Sequence, residues 1–178
     1  MEWETRPKNP MGTPYKPEEL ERGEVPYTED SLEVWYRWSL GRYLSKYLES
    51  LREGRILGRR CKSCGRVFVP PREVCHACFR TTDEWVDVGD TGRVNTAVVS
   101  YIAADRGRVD EPIIIAVIEL EGASEGMGIL HKLAGVTPED VKSMRVFGMR
   151  VKAVWRPPEE RTGSVNDILY FKPLEEVG

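Results

Sequence analysis

Glutamine is absent from these 178 residues and asparagine occurs only at positions 9, 95 and 166, whereas Arg, Glu and Val are plentiful. So few thermolabile amides is the composition expected of a protein that works at high temperature. No apolar run approaches the roughly 20 residues that cross a bilayer. The opening, MEWETRPKNP, lacks the basic and apolar regions of a secretory signal. A cytoplasmic location is therefore expected. Internal repeats and low-complexity tracts are missing too, and histidine occurs twice. What remains is ordinary for one compact domain with appendages: 40% apolar, 31% charged, net charge -3.

The scarcity of histidine leaves little material for catalysis. His131, in GILHKLAG, has no Ser, Cys or Asp placed to complete a triad, so it reads as a surface or packing residue of a strand. The G-x-G of EGMGILHK does not join a strand to a helix, which a nucleotide fingerprint requires. Glu119, Glu121 and Glu125 fall on or just after a strand, as on a solvated face. Without a paired acid and base, no catalytic residue is assigned and an independent enzyme is not expected.

All four cysteines lie between residues 61 and 78, as two C-x-x-C pairs separated by ten residues. A hyperthermophile's cytosol tolerates disulfides, so compartment does not exclude them. The two-residue spacer, however, turns both sulfurs of a pair toward one point, as a tetrahedral zinc needs. Gly65 follows the first pair, where a knuckle turn calls for positive φ. The link VFVPPREV is long enough for a turn and a return strand, as in a zinc ribbon. Cys61, Cys64, Cys75 and Cys78 are therefore the expected ligands, with His76 an exposed knuckle residue. Four thiolates leave no position for water or substrate, so the zinc is expected to be structural. Iron of the rubredoxin kind uses the same ligands and stays open. Seven Arg and Lys against one Glu between residues 55 and 80 either offset the thiolate charge or contact phosphates. Acidic stretches on both sides, such as EELERGE and PPEE, argue against a general polyanion-binding surface.

The rest divides by pattern. Residues 1–27, with five prolines, read as an extended arm. Residues 28–54 read as an amphipathic helical segment, capped at Thr28 or Asp30 and stopped at Gly54. Leu32, Trp35, Tyr36, Leu40, Tyr43, Leu44, Tyr47, Leu48 and Leu51 make its apolar stripe, with Trp38 near the edge. Such a stripe packs on the chain's own core or, being this aromatic, meets a partner; Trp35, Tyr36, Tyr43 and Tyr47 are the docking candidates. Residues 55–84 form the ribbon. Residues 85–178 contain five Val- and Ile-rich strand patterns, with Thr137 and Pro138 opening a helical turn before the fourth. The expected fold is mainly β with an N-terminal helix: a rubredoxin-like zinc ribbon followed by a five-stranded OB-fold barrel.

This order of parts, an aromatic helix, CKSCG and CHAC joined by a Pro-rich link, then GRVNTAVVSY opening a small barrel, resembles the zinc-ribbon plus OB-fold acyl-CoA-associated family first catalogued as domain of unknown function thirty-five. The resemblance spans residues 31–174. Its most telling features are FVPPREVC and the W-x-x-x-x-x-x-G-R-V run of residues 85–94. It implies a non-catalytic scaffold subunit bridging an acetoacetyl-CoA thiolase and a second thiolase-fold enzyme, hydroxymethylglutaryl-CoA synthase, at the entry to the mevalonate pathway of isoprenoid biosynthesis in archaea. It also implies that Cys61, Cys64, Cys75 and Cys78 hold zinc, and that the family's helix matches residues 32–51. Coenzyme A carries phosphates, so Arg59, Arg60, Lys62 and Arg66 become CoA-phosphate candidates at a shared interface. Two other readings compete. A single-stranded nucleic-acid binder would use the same two modules, yet PIIIAVIELEG places carboxylates on the barrel, and nucleic acid is not expected. An enzyme acting alone on an acyl-CoA would need the acid and base that are missing.

Overall fold

The computed structural model describes residues 16–26, 34–103 and 107–174. The chain divides into two units, Met1–Trp38 and Ser39–Gly178. In the first, the arm expected to be extended carries a short helix, α1 (Pro17–Glu21). Proline costs nothing at a helix's first position, where its missing N–H has no partner anyway. Glu18 and Glu19 follow in the first turn, where the helix dipole favours acids, and the Glu19 carboxylate accepts the Lys16 backbone N–H at 2.8 Å. Residues 34–38 have no regular structure. The rings of Tyr36 and Trp38 are 5.8 Å apart.

The helix expected from residue 28 instead begins at Gly41, as α2 (Gly41–Arg52). The expected caps Thr28 and Asp30, with Leu32, lie outside the described residues. The reason for the late start is local: Gly41 takes φ 62°, and a right-handed helix cannot be carried back through a left-handed residue. Trp35 and Tyr36 therefore precede the helix, although their spacing continues its apolar stripe. Within α2, Tyr47 and Leu51 are buried, and Gly54 follows the C-terminal cap, Glu53.

Three strands make the ribbon: β1 (Leu57–Arg60), β2 (Val67–Phe68) and β3 (Glu84–Asp87), in the order β2-β1-β3. The barrel consists of β4 (Thr91–Ile102), β5 (Arg108–Leu120), β6 (Gly128–Lys132), α3 (Pro138–Lys142), β7 (Arg150–Trp155) and β8 (Ile168–Pro173). Its strands run β6-β5-β4-β7-β8. Every paired neighbour is antiparallel, and a parallel bridge from Leu133 to Phe171 joins the two ends. Five strands closed in this way, with a helix between the third and fourth, are an OB fold. The α3 cap is reciprocal, as Thr137 and Pro138 lead one to expect: the Asp140 N–H donates to Thr137 Oγ1 and the Thr137 N–H to the Asp140 carboxylate.

One core serves helix, ribbon and barrel. Tyr47 and Leu51 of α2, Val67 and Val69 of the ribbon, and Ile118, Val151 and Phe171 of the barrel belong to the same buried cluster. Hydrogen bonds cross the same boundary, from the Val67 N–H to Ser124 Oγ at 2.9 Å and from the Ser124 N–H to the Val67 carbonyl at 3.1 Å. The ribbon is thus fastened to the barrel by both apolar burial and hydrogen bonds. Among the described residues, no helix is long and apolar enough to cross a membrane.

Candidate metal centre and its basic surroundings

The metal site is built from two copies of one turn. Cys61 directly follows β1; its carbonyl accepts the Gly65 N–H at 2.7 Å, and its own N–H donates to the Arg66 carbonyl at 2.8 Å. Cys75 repeats the pattern, accepting from the Phe79 N–H and donating to the Arg80 carbonyl, both at 2.8 Å. Each turn passes through a left-handed residue, Gly65 at φ 76° and Phe79 at φ 53°. The bonds leave both sulfurs of each pair aimed at one point. Cys61 and Cys75 are buried beside Phe68, and His76 packs edge-on against the Phe68 ring at 5.4 Å.

The sulfurs of Cys61, Cys64, Cys75 and Cys78 all lie within 4.8 Å of one another. A tetrahedral zinc with bonds near 2.3 Å would place its sulfurs about 3.8 Å apart, and Cys64 Sγ to Cys75 Sγ is 3.7 Å. Charge makes the same case. The backbone N–H of Arg66, with its guanidinium, pulls the Cys64 thiol down to about 6, while hydrogen bonding to Cys64 pushes Cys78 up to about 12. Four thiols this close cannot all ionise without a cation among them. The donor set therefore fits a closed tetrathiolate zinc. Bound there, the metal tethers β1, β2 and the second turn, and the filled coordination sphere leaves it no Lewis-acid role.

The four CoA-phosphate candidates do not form one cluster. Arg59 turns toward α2, with its guanidinium 5.1 Å from the Tyr43 ring centroid and 5.0 Å from that of Trp85. It is only 6% exposed and donates through Nε to Thr82 Oγ1 and through Nη2 to the Thr82 carbonyl. Arg60 is next in β1, where side chains alternate in direction. Lys62 sits in the first turn, with its backbone N–H on Asp83, and Arg66 lies beside Cys64. Strand alternation divides what the sequence places together.

The docking candidates separate likewise. Trp35 and Tyr36 are 89% and 70% exposed but precede the helix. Tyr43 is half-buried, with its ring 6.1 Å from that of Trp85. Tyr47, expected to meet a partner, is 2% exposed and is used by the chain's own core. Burial also pushes its phenol up to about 12.

Several residues escape sequence reasoning. Arg42 and Lys46, one helical turn apart on α2, join Arg59 and Trp85 around a recess; their i,i+4 spacing beside an aromatic stripe was the available signal. Phe79 occupies the position that Gly65 holds in the first turn, visible on aligning CKSCG with CHACF. His131 lines a separate, mostly apolar recess with Leu44, Pro70 and Val165. Its Nε2 is 3.2 Å from the Val165 carbonyl, and its Nδ1 is buried with no partner among the described residues. Burial pushes the imidazole below its ordinary value. Of the three carboxylates read as a solvated face, Glu121 pairs with Arg150 and Thr91 and Glu119 with Asn95, while Glu125 is exposed.

Comparison with known proteins matches the architecture module by module. Residues 48–84 match the ChsH2 rubredoxin-like zinc ribbon domain and residues 85–156 the ChsH2 C-terminal OB-fold domain. A DUF35 domain-containing scaffold protein of Methanocaldococcus jannaschii is 39% identical over 124 residues, which cover 67% of this chain and 82% of that one. One of the same description from Methanothermobacter thermautotrophicus is 27% identical over 121 residues, covering 66% and 86%. A probable enoyl-CoA hydratase alpha subunit of Thermomonospora curvata is 25% identical over 109 residues, covering 61% of this chain and 32% of that one. Among solved structures, the Ltp2-ChsH2(DUF35) aldolase superposes with a TM-score of 0.54 at 22% identity, over 77% of this chain and 98% of that one; at that identity the likeness is one of fold. The chain, with its paired-cysteine ribbon fastened to an OB barrel, belongs to the DUF35 family.

Proposed function

We propose that this protein is a non-catalytic scaffold subunit of an assembly acting on acyl-CoA thioesters. The observation that carries the reading is the 39% identity to an archaeal scaffold protein along 82% of that protein's length. The chemistry of the site agrees. A tetrathiolate sphere is complete, so a metal held by it organises the fold and leaves the substrate to other groups. His131, the histidine outside the ribbon, is held by burial below its ordinary pKa and faces apolar side chains. The CoA connection is supported by the enoyl-CoA hydratase subunit among the relatives.

More specifically, the chain bridges an acetoacetyl-CoA thiolase and hydroxymethylglutaryl-CoA synthase, and so keeps their shared intermediate close at the entry to the mevalonate pathway. A bridge needs more than one surface that prefers another protein to water. Trp35, Tyr36 and Trp38 supply one exposed aromatic set. Val98, Tyr101 and Ile102 supply a second, on the part of β4 that pairs only with β5 among the described residues. Exposed apolar groups of this size mark interaction sites. The test is reconstitution: the zinc-loaded chain is mixed with both enzymes from the same source, and the mixture is sized by light scattering after gel filtration. One species containing all three proteins is expected; three separate peaks would refute the bridge.

A further inference from the structure

A recess of 260 Å³ lies between α2 and the ribbon sheet, lined by Arg42, Tyr43, Lys46, Arg59 and Trp85. Three of the five side chains are cations, and among the described residues they pair with one carboxylate, Glu73, 3.1 Å from Arg42. Lys46 Nζ stands 5.1 Å from the Trp85 ring centroid and makes no ion pair among the described residues. Arg59 is the more telling group. It is more than nine-tenths buried, two of its nitrogens are spent on Thr82, and Nη1 meets no acceptor among the described residues.

A guanidinium taken out of water without a counter-charge is expensive. The two aromatic rings that flank Arg59 return part of that cost through cation–π attraction, but they do not neutralise it. A negative charge supplied from outside the chain would. With three cations against Glu73, the recess holds a net charge of +2 (three minus one). That matches a phosphate monoester, whose charge near neutral pH is about -2. Carboxylates carry one charge each, so two of them would have to enter the same small space.

We propose that this recess binds a phosphate monoester dianion and, resting on the acyl-CoA reading above, that the ligand is the 3′-phosphate at the nucleotide end of coenzyme A. Arg59 offers the free edge of its planar fork, Arg42 and Lys46 close over the group from exposed positions on α2, and the edges of Tyr43 and Trp85 lie against the ribose. Of the four arginine and lysine candidates read from the sequence, only Arg59 lines this site.

The test compares coenzyme A with dephospho-coenzyme A, which lacks that phosphate, by calorimetric titration into the zinc-loaded full chain and into its assembly with the partner enzymes. Coenzyme A is expected to bind tighter on the order of tenfold, the worth of a charge-assisted contact. Lys46→Glu and Arg42→Glu, both at exposed positions, should each shrink that preference without unfolding the chain. Equal affinity for the two ligands, no binding of either in chain or assembly, or a preference that survives both substitutions would overturn the proposal. If Lys46→Glu blocks partner capture while both ligands bind alike, the recess holds an acidic protein segment and the phosphate site is refuted. Failure here with the three-protein species still formed removes only the phosphate site; loss of that species with the preference intact removes only the scaffold reading.

Discussion

Phe79 occupies a backbone conformation that its twin position gives to glycine. It stands at φ 53° where the first cysteine turn has Gly65 at φ 76°, and its ring is 84% exposed. An L-residue with a Cβ pays roughly 1–2 kcal/mol for a left-handed backbone, and a ring facing water returns little of it. Phe79→Gly should therefore stabilise the zinc-loaded chain by about 1 kcal/mol, measured as a raised midpoint in denaturant titration. An unchanged or lowered midpoint would mean that the ring packs more than its exposure indicates. The sequence tells that both turns exist, because C-x-x-C is a spacing rule. It does not tell that the second turn is strained, since that follows only from superposing two turns with one hydrogen-bond pattern. Arg59 teaches the same lesson: its charge is plain in GRRCK, but its burial between two rings from distant segments is not.

At the scale of elements, α2 and the ribbon are best understood together. The apolar spacing over residues 32–51 is a sound helix signal, yet periodicity is blind to one residue of the wrong hand, and the helix starts only at Gly41 although the pattern begins earlier. The barrel strands were legible because β5 alternates cleanly, burying Ile114, Ala116, Ile118 and Leu120 on one face. The closure of the barrel by Leu133 and Phe171 was not, because it joins residues far apart in sequence. Nor does composition disclose that ribbon and barrel share a core, although each is recognisable alone. That sharing has a thermodynamic consequence. Val67, which opens the first cysteine turn's return strand, and Val69, just after it, belong to the barrel's own cluster, so losing the metal should loosen both parts. Chelating the zinc is expected to lower the melting temperature of the whole Ser39–Gly178 unit in one cooperative transition, followed by circular dichroism. A barrel signal that keeps its zinc-loaded melting temperature after the ribbon has unfolded would show the two to be energetically separate.

For the whole molecule, the parts support a division of labour. A metal closed off by four sulfurs stiffens a small ribbon that has too little interior of its own, the ribbon and α2 complete the core of an OB barrel, and exposed aromatic and aliphatic groups remain for other proteins. On the proposed reading, chemistry on the thioester would belong to the partners, and this chain would contribute position and, at the recess lined by Arg42, Lys46 and Arg59, charge. The cysteine pattern and the order of modules were enough to read the family from sequence. Which cations work together was not, because strand alternation and helix packing decide it. All of this depends on a metal with no vacant position. X-ray absorption at the zinc edge of the purified chain measures that directly. A single shell of four sulfurs at about 2.3 Å is expected; three sulfurs with an oxygen or nitrogen in the fourth position would mean an open, potentially reactive centre and would contradict the account.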